Sequence, residues 1–176
     1  QTSIEDEFPD LRNQIDELKG KGILKIVNKT IAAPGLYHEG DVYVYPTRLE
    51  GIGLTIAEAL ASGLVTVIPD ENPMKEFVPD NSPYLIEIES RSSRSDGYYW
   101  DESICSVKSL SDSLIKIIEM PKEQLLEEKK AARKHAIKCL DFKANTKVLS
   151  ELVQNVVSKP MSKELLELIR QEDNVR

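Results

Sequence analysis

The sequence predicts an α/β fold: a parallel sheet with flanking helices, followed by a helical C-terminal tail. Three observations predict it. Two short β-prone runs, residues 41–45 and 64–68, flank a helical pattern. Neither run alternates apolar with polar, which suits strands covered on both faces. The last third of the chain repeats apolar residues at helical spacing in segments bounded by Pro121 and Pro160. A chain of 176 residues suffices for one such domain with a sizeable core.

The elements follow in order. Leu11, Ile15 and Leu18 recur at helical spacing in the first segment, which stops at Gly20 and Gly22. Residues 23–27 form a short β-prone run. Residues 28–40 read as loop with one helical turn, broken by Pro34 and Gly35. A strand over 41–45 ends at Pro46, a helix spans 53–62 with Gly63 as its stop, and a strand over 64–68 ends at Pro69. This is a βαβ unit, and its crossover is expected to be right-handed. Residues 80–101 read as loop, with a Ser/Arg-rich patch at 90–96 and an aromatic cluster, Tyr98, Tyr99 and Trp100, expected to pack under a loop. Helices are expected over 107–119, after Pro121, over 142–157, and after Pro160, where Leu165, Leu166 and Ile169 recur. No repeat of solenoid period is present.

Composition excludes several classes. With 40% hydrophobic and 30% charged residues the chain is globular. The net charge of −7 argues against a nucleic-acid partner. No apolar run approaches the roughly 20 residues that cross a bilayer. The charged stretch 127–134 reads as the solvated face of a helix, with membrane-surface contact as its alternative. Cys105 and Cys139 lack metal or redox spacing and read as unpaired thiols of an intracellular protein. His38 and His135 have no ligand-like neighbours, so no metal site is expected.

The βαβ unit carries the chemistry. Ligands of open α/β sheets bind beyond the carboxyl ends of the strands. Here that place is the loop 46–53, which runs into a helix N-terminus with unpaired N–H groups and the positive end of the macrodipole. Gly51 and Gly53 remove side chains where a ligand would meet the backbone. An anion, and a diphosphate in particular, is the expected occupant. On a helical wheel Leu54, Ile56, Ala57, Leu60 and Ala61 form an apolar stripe, with Thr55, Glu58 and Ser62 at its edge. Glu58 and the loop residue Glu50 are good acceptors for sugar hydroxyls. Two carboxylates flanking an anion site suit a nucleoside diphosphate sugar. From spacing alone, a solvated Glu58 and a simple loop charge at Glu50 stay open. The dinucleotide fingerprint is absent, because Leu54, Thr55 and Ile56 follow Gly53 without a third glycine.

Residues 40–63, Gly-Asp-Val-Tyr-Val-Tyr-Pro-Thr-Arg-Leu-Glu-Gly-Ile-Gly-Leu-Thr-Ile-Ala-Glu-Ala-Leu-Ala-Ser-Gly, resemble the signature of the glycogen-synthase and mannosyltransferase-like family of retaining glycosyltransferases, group 1, family four. That signature is a Glu, seven residues and a second Glu, the spacing of Glu50 and Glu58. The resemblance implies the C-terminal, Rossmann-like donor-binding domain of a GT-B fold. It implies that Glu50, the catalytic candidate, contacts the donor sugar and that Glu58 holds the ribose hydroxyls. Gly51 borders the donor, the backbone of Gly53, Leu54 and Thr55 meets the diphosphate, and Asn28 and Lys29 lie near the nucleobase. It implies a hexosyltransferase-like activity in glycan biosynthesis, with no cofactor beyond the nucleotide-sugar substrate and no metal.

The resemblance also sets boundaries. Residues 1–158 are expected to form a partial nucleotide-sugar-binding domain and 159–176 a C-terminal helix, with the N-terminal acceptor domain absent from this chain. Strands that carry a diphosphate-neutralising Arg and Lys are missing too, so the chain reads as part of a longer protein, inactive alone. The acceptor (a glycan, a lipid or another molecule) would bind through the missing domain. The expected location is the cytoplasm or the cytoplasmic face of a membrane, with peripheral association of the full-length protein. Many relatives have a Gly-Gly where this chain has Pro69-Asp-Glu-Asn-Pro-Met-Lys-Glu, and Glu76 there reads as a helix-terminal charge. The alternatives are a non-catalytic scaffold of the same fold and a sugar-nucleotide epimerase of GT-B architecture.

Overall fold

A computed structural model of the chain describes residues 4–94, 99–156 and 162. It divides into two compact units, Gln1–Leu36 and Tyr37–Arg176. The first unit holds α1 (Ile4–Glu7), a 3-10 turn (Pro9–Leu11) and α2 (Arg12–Gly20). Helix α2 buries only Ile15 of its apolar positions. Gly22, at φ 68, turns the chain so that the N–H groups of Ile23 and Leu24 both donate to the Leu18 carbonyl. The expected strand over 23–27 does not form among the described residues. The run is irregular and has no ladder partner, and without one its backbone groups have nothing to pair with.

The second unit is built on a three-stranded parallel sheet in the order β1-β2-β3. Its strands are β1 (Val42–Val44), β2 (Val65–Pro69) and β3 (Leu85–Ile86), with Val42 opposite Val65 and Ile68 opposite Leu85. Helix α3 (Leu54–Ala61) connects β1 to β2. The helices α4 (Val107–Ile118), α5 (Lys122–Cys139) and α6 (Phe142–Val156) follow. Gly63, at φ 76, ends α3 as expected, and the N–H groups of Ser62, Gly63 and Leu64 take up carbonyls of its last turn.

The core lies on both faces of β2, every residue of which is buried. Ile68 packs on one side with Ile56 and Leu60 of α3, Met74, Val78 and Ala136 of α5. Val65 and Val67 pack on the other with Tyr84, Ile86 and Ile117 of α4. Covering of both faces explains why β2 does not alternate apolar with polar residues: even Thr66 is buried. Strand β1 departs from that expectation, being half-buried at Val42 and Tyr43 and exposed at Val44, as befits the edge of this sheet. Tyr43 and Tyr45 nevertheless point to the α3 side and pack against its core.

Residues 80–101 are not the expected loop. They contain β3 and the first strand of an antiparallel hairpin, β4 (Ile88–Ser93) with β5 (Asp101–Cys105). Tyr99 and Trp100 are exposed instead of packed, and Tyr98 lies outside the described residues. The C-terminal segments follow expectation more closely. The Ser106 hydroxyl caps α4, Pro121 precedes the first residue of α5, and the Asp141 carboxylate accepts from the N–H groups of Lys143 and Ala144 to cap α6. Cys105 and Cys139 are free thiols. The expected helix over 162–176, with Leu165, Leu166 and Ile169, lies outside the described residues except for Ser162.

Candidate functional site

The loop 46–53 leaves the carboxyl end of β1 and delivers the chain to α3. Gly53 is the N-cap residue, in the left-handed region at φ 81. A Cβ there would stand 3.1 Å from Ile56 Cδ1 and 3.9 Å from Phe77. Gly53 is also buried, so its glycine serves the turn and the packing beneath it. Gly51 is different, because it is exposed and a Cβ there would meet nothing within 4 Å.

No side chain caps α3. The Gly53 carbonyl accepts from Ile56 N–H at 2.9 Å, and the N–H groups of Leu54 and Thr55 have no acceptor inside the helix. Both residues are exposed, Leu54 at 63%. Leu54 therefore stands outside the apolar stripe expected for it. The buried face centres on Ile56, Ala59 and Leu60. Among the described residues no acceptor meets the Leu54 and Thr55 N–H groups, which stand at the positive end of the helix dipole.

The two glutamates are anchored by tyrosines. Tyr45 Oη donates to Glu50 Oε1, and Tyr37 Oη donates to Glu58 Oε2 at 2.6 Å. Tyr43 lies between these tyrosines, stacked on Tyr45 with ring centroids 5.6 Å apart and edge-on to Tyr37 at 6.0 Å. The ring row thus joins the tyrosine that holds Glu50 to the one that holds Glu58. Burial, then the bond to Glu58, raises the Tyr37 phenol well above the ordinary tyrosine range. For Tyr45 the bond to Glu50 is the larger cause and burial the second. Both phenols hold their protons at neutral pH and act as donors, while each carboxylate keeps a second oxygen for another hydroxyl.

The loop is braced from outside. The Ser103 N–H of β5 donates to the Arg48 carbonyl at 2.8 Å, and Arg48 pairs with Glu102 at 3.7 Å. The Ser103 hydroxyl donates to Glu71, whose other oxygen accepts from Arg91 at 2.7 Å. Glu76 sits exposed in the 3-10 turn Met74–Phe77. His135 Nε2 lies 2.9 Å from the Phe77 carbonyl of that turn, and His38 is exposed. Asn28 and Lys29 are exposed residues of the first unit.

Glu50 and Glu58 are therefore both held by the tyrosine row, Glu58 from within α3 and Glu50 from the loop before it. The three tyrosines that hold them were not among the residues expected at the site. A signal existed for two of them, since Tyr43 and Tyr45 stand two apart on a strand and must share a face. None existed for Tyr37, which reaches Glu58 from a 3-10 turn, Tyr37–Glu39.

The chain is thus an α/β domain with an uncapped helix N-terminus and two tyrosine-held carboxylates beyond the carboxyl end of a parallel strand, the place where ligands of open α/β sheets bind. The family model described as Glycosyl transferases group 1 matches residues 5–136 of the chain. The chain belongs to this family and is a glycosyltransferase, one of a class that uses nucleotide-sugar donors and acceptors. No curated protein matches it.

Proposed function

We propose that this chain is the donor-binding part of a retaining, GT-B glycosyltransferase of family four, hexosyl-transferring and engaged in glycan biosynthesis. Glu50 accepts hydrogen bonds from the donor sugar and is the candidate catalytic residue. Glu58 holds the ribose hydroxyls. The N–H groups of Leu54 and Thr55, with the backbone of Gly53 and the open surface at Gly51, receive the diphosphate and stabilise its charge as the glycosidic bond breaks. The proposed reaction uses no metal ion. Among the described residues no helix is long and apolar enough to cross a membrane, and action in the cytoplasm or at a membrane face belongs to the proposal.

The observation that carries this reading is the pair of tyrosine-held carboxylates, Glu50 in the loop before the uncapped start of α3 and Glu58 in its second turn, inside the segment matched by the family. Calorimetric titration with UDP, GDP and ADP, at low salt and without metal, tests it. One of the three is expected to bind, and Glu58→Ala is expected to weaken that binding by roughly tenfold, the loss of hydrogen bonds to a charged acceptor. Equal affinity in the variant would sink the ribose assignment. Failure of all three to bind would point to a scaffold.

A further inference from the structure

The edge strand and the 3-10 turn before it place a phenol against each glutamate, and a phenol is an unusual choice of partner. A Lys or Arg would neutralise the carboxylate beside it and compete for the diphosphate. A phenol donates one hydrogen bond and brings no charge. We infer that Tyr37 is a positioning residue of the nucleotide site, fixing the Glu58 carboxylate so that its second oxygen meets the ribose of a ribonucleoside diphosphate. This rests on the donor-binding reading of the site.

The geometry supports a positioning role beyond packing. Glu58 lies about one turn into α3 on an exposed side, where a glutamate otherwise samples several rotamers. The Tyr37 hydroxyl ties down Oε2 at 2.6 Å and leaves Oε1 free of any described partner. Tyr37 is itself held. Its ring meets Tyr43 edge-on at 6.0 Å, and Tyr43 stacks on Tyr45 at 5.6 Å. Tyr43 and Tyr45 both pack on the cluster of Ile56, Leu60 and Ile68. The orientation of an exposed carboxylate is thus referred back to the core through three rings. Pre-ordering of that kind removes rotamer entropy otherwise lost when the ligand arrives.

The replacement Tyr37→Phe keeps the ring and its edge contact and removes only the hydroxyl. The probes are UDP, GDP and ADP and their 2′,3′-dideoxy counterparts, titrated into the full chain by calorimetry. In the variant, the ribonucleotide that binds wild type is expected to bind about fivefold more weakly, as for one lost hydrogen bond. The dideoxy counterpart, which has no hydroxyl for Glu58, is expected to lose nothing. In a Glu58→Ala background the same replacement is expected to have no further effect, because the two residues act as one unit.

Equal weakening of ribo and dideoxy ligands, or losses that add in the double variant, would make Tyr37 a packing residue and overturn the inference. Full affinity in Tyr37→Phe beside a large loss in Glu58→Ala would also overturn it and leave the donor reading standing. No effect of Glu58→Ala, or no binding by any probe, overturns both.

Discussion

The backbone N–H of Ser103 donates to the Arg48 carbonyl at 2.8 Å, so the β4–β5 hairpin holds the loop that carries Glu50. The same residue's hydroxyl donates to Glu71. Ser103 is buried, at 4% exposure, and joins two loops that follow parallel strands of the sheet. Its hydroxyl is the largest cause holding the Glu71 carboxyl below its ordinary range. Burial opposes it, and the Arg91 guanidinium adds to it.

A stability prediction follows with a defined sign. A carboxyl whose pKa is lowered by folding stabilises the fold above its unfolded value of 4.5 and loses that contribution as pH falls through the folded value. Ser103→Ala is expected to cost about 1 kcal/mol at pH 7, a typical hydrogen bond to a partly buried partner. Glu71→Gln is expected to flatten the fall in stability below pH 4.5. Urea unfolding at pH 7 and at acid pH checks both. Parallel curves for wild type and Glu71→Gln across that range would show that the triad contributes nothing.

The two glycines of the loop should separate cleanly. Gly53→Ala places a Cβ at φ 81 and 3.1 Å from Ile56 Cδ1, so strain and contact act together. A cost of about 2 kcal/mol is expected, from the left-handed conformation and the displaced isoleucine. Gly51→Ala meets nothing within 4 Å. Its thermal midpoint should stay at the wild-type value, and any loss of nucleoside diphosphate affinity then reports a ligand against the backbone. An equally stable Gly53→Ala would mean that the turn can be rebuilt without a left-handed residue.

The core makes a simpler demand. Ile68 has 0% exposure and lies on the central strand, against Ile56 and Leu60. Ile68→Ala is expected to cost roughly 3–4 kcal/mol, since transfer and cavity effects add at a site closed on both sides. Chemical denaturation measures it. A cost under about 1 kcal/mol would mean that the packing around β2 collapses freely.

How far the sequence could be read depends on which interactions fix each element. The βαβ unit was legible because β2 is a β-prone run without polar alternation and α3 ends at a glycine that the left-handed turn requires. Glu50 and Glu58 were paired by the resemblance of residues 40–63 to a family signature, since spacing alone left a solvated Glu58 and a loop charge at Glu50 open. The β4–β5 hairpin was not, because Glu89, Ser90, Arg91, Ser92 and Ser93 are all polar and exposed, and pairing, not an apolar face, makes them a strand. Residues 23–27 failed in the opposite sense, with β-prone side chains and no described strand beside them. Tyr37 was hidden because a 3-10 turn has no periodicity long enough to predict which way a single side chain points.

The alkaline limb of the stability curve tests the tyrosine row directly. Folding raises the Tyr37, Tyr43 and Tyr45 phenols above the ordinary tyrosine value of 10.0. Desolvation is the largest cause at Tyr37 and Tyr43, and the Glu50 bond at Tyr45. A group with a raised pKa stabilises the fold fully below its unfolded value and loses that contribution as pH rises through the folded one. Stability should therefore hold to about pH 10 and decline above it, while tyrosinate absorbance in the folded chain lags behind that of the urea-unfolded chain. Replacing Tyr37 and Tyr45 together by Phe should shrink the lag, because two of the late-titrating phenols are gone. The decline above pH 10 should shrink with it, since two of the three phenolates that would form near Glu50 and Glu58 are gone and only that of Tyr43 remains. A lag of the same size in the double variant would place the slow phenols elsewhere, with Tyr84, also raised by burial, the first to examine.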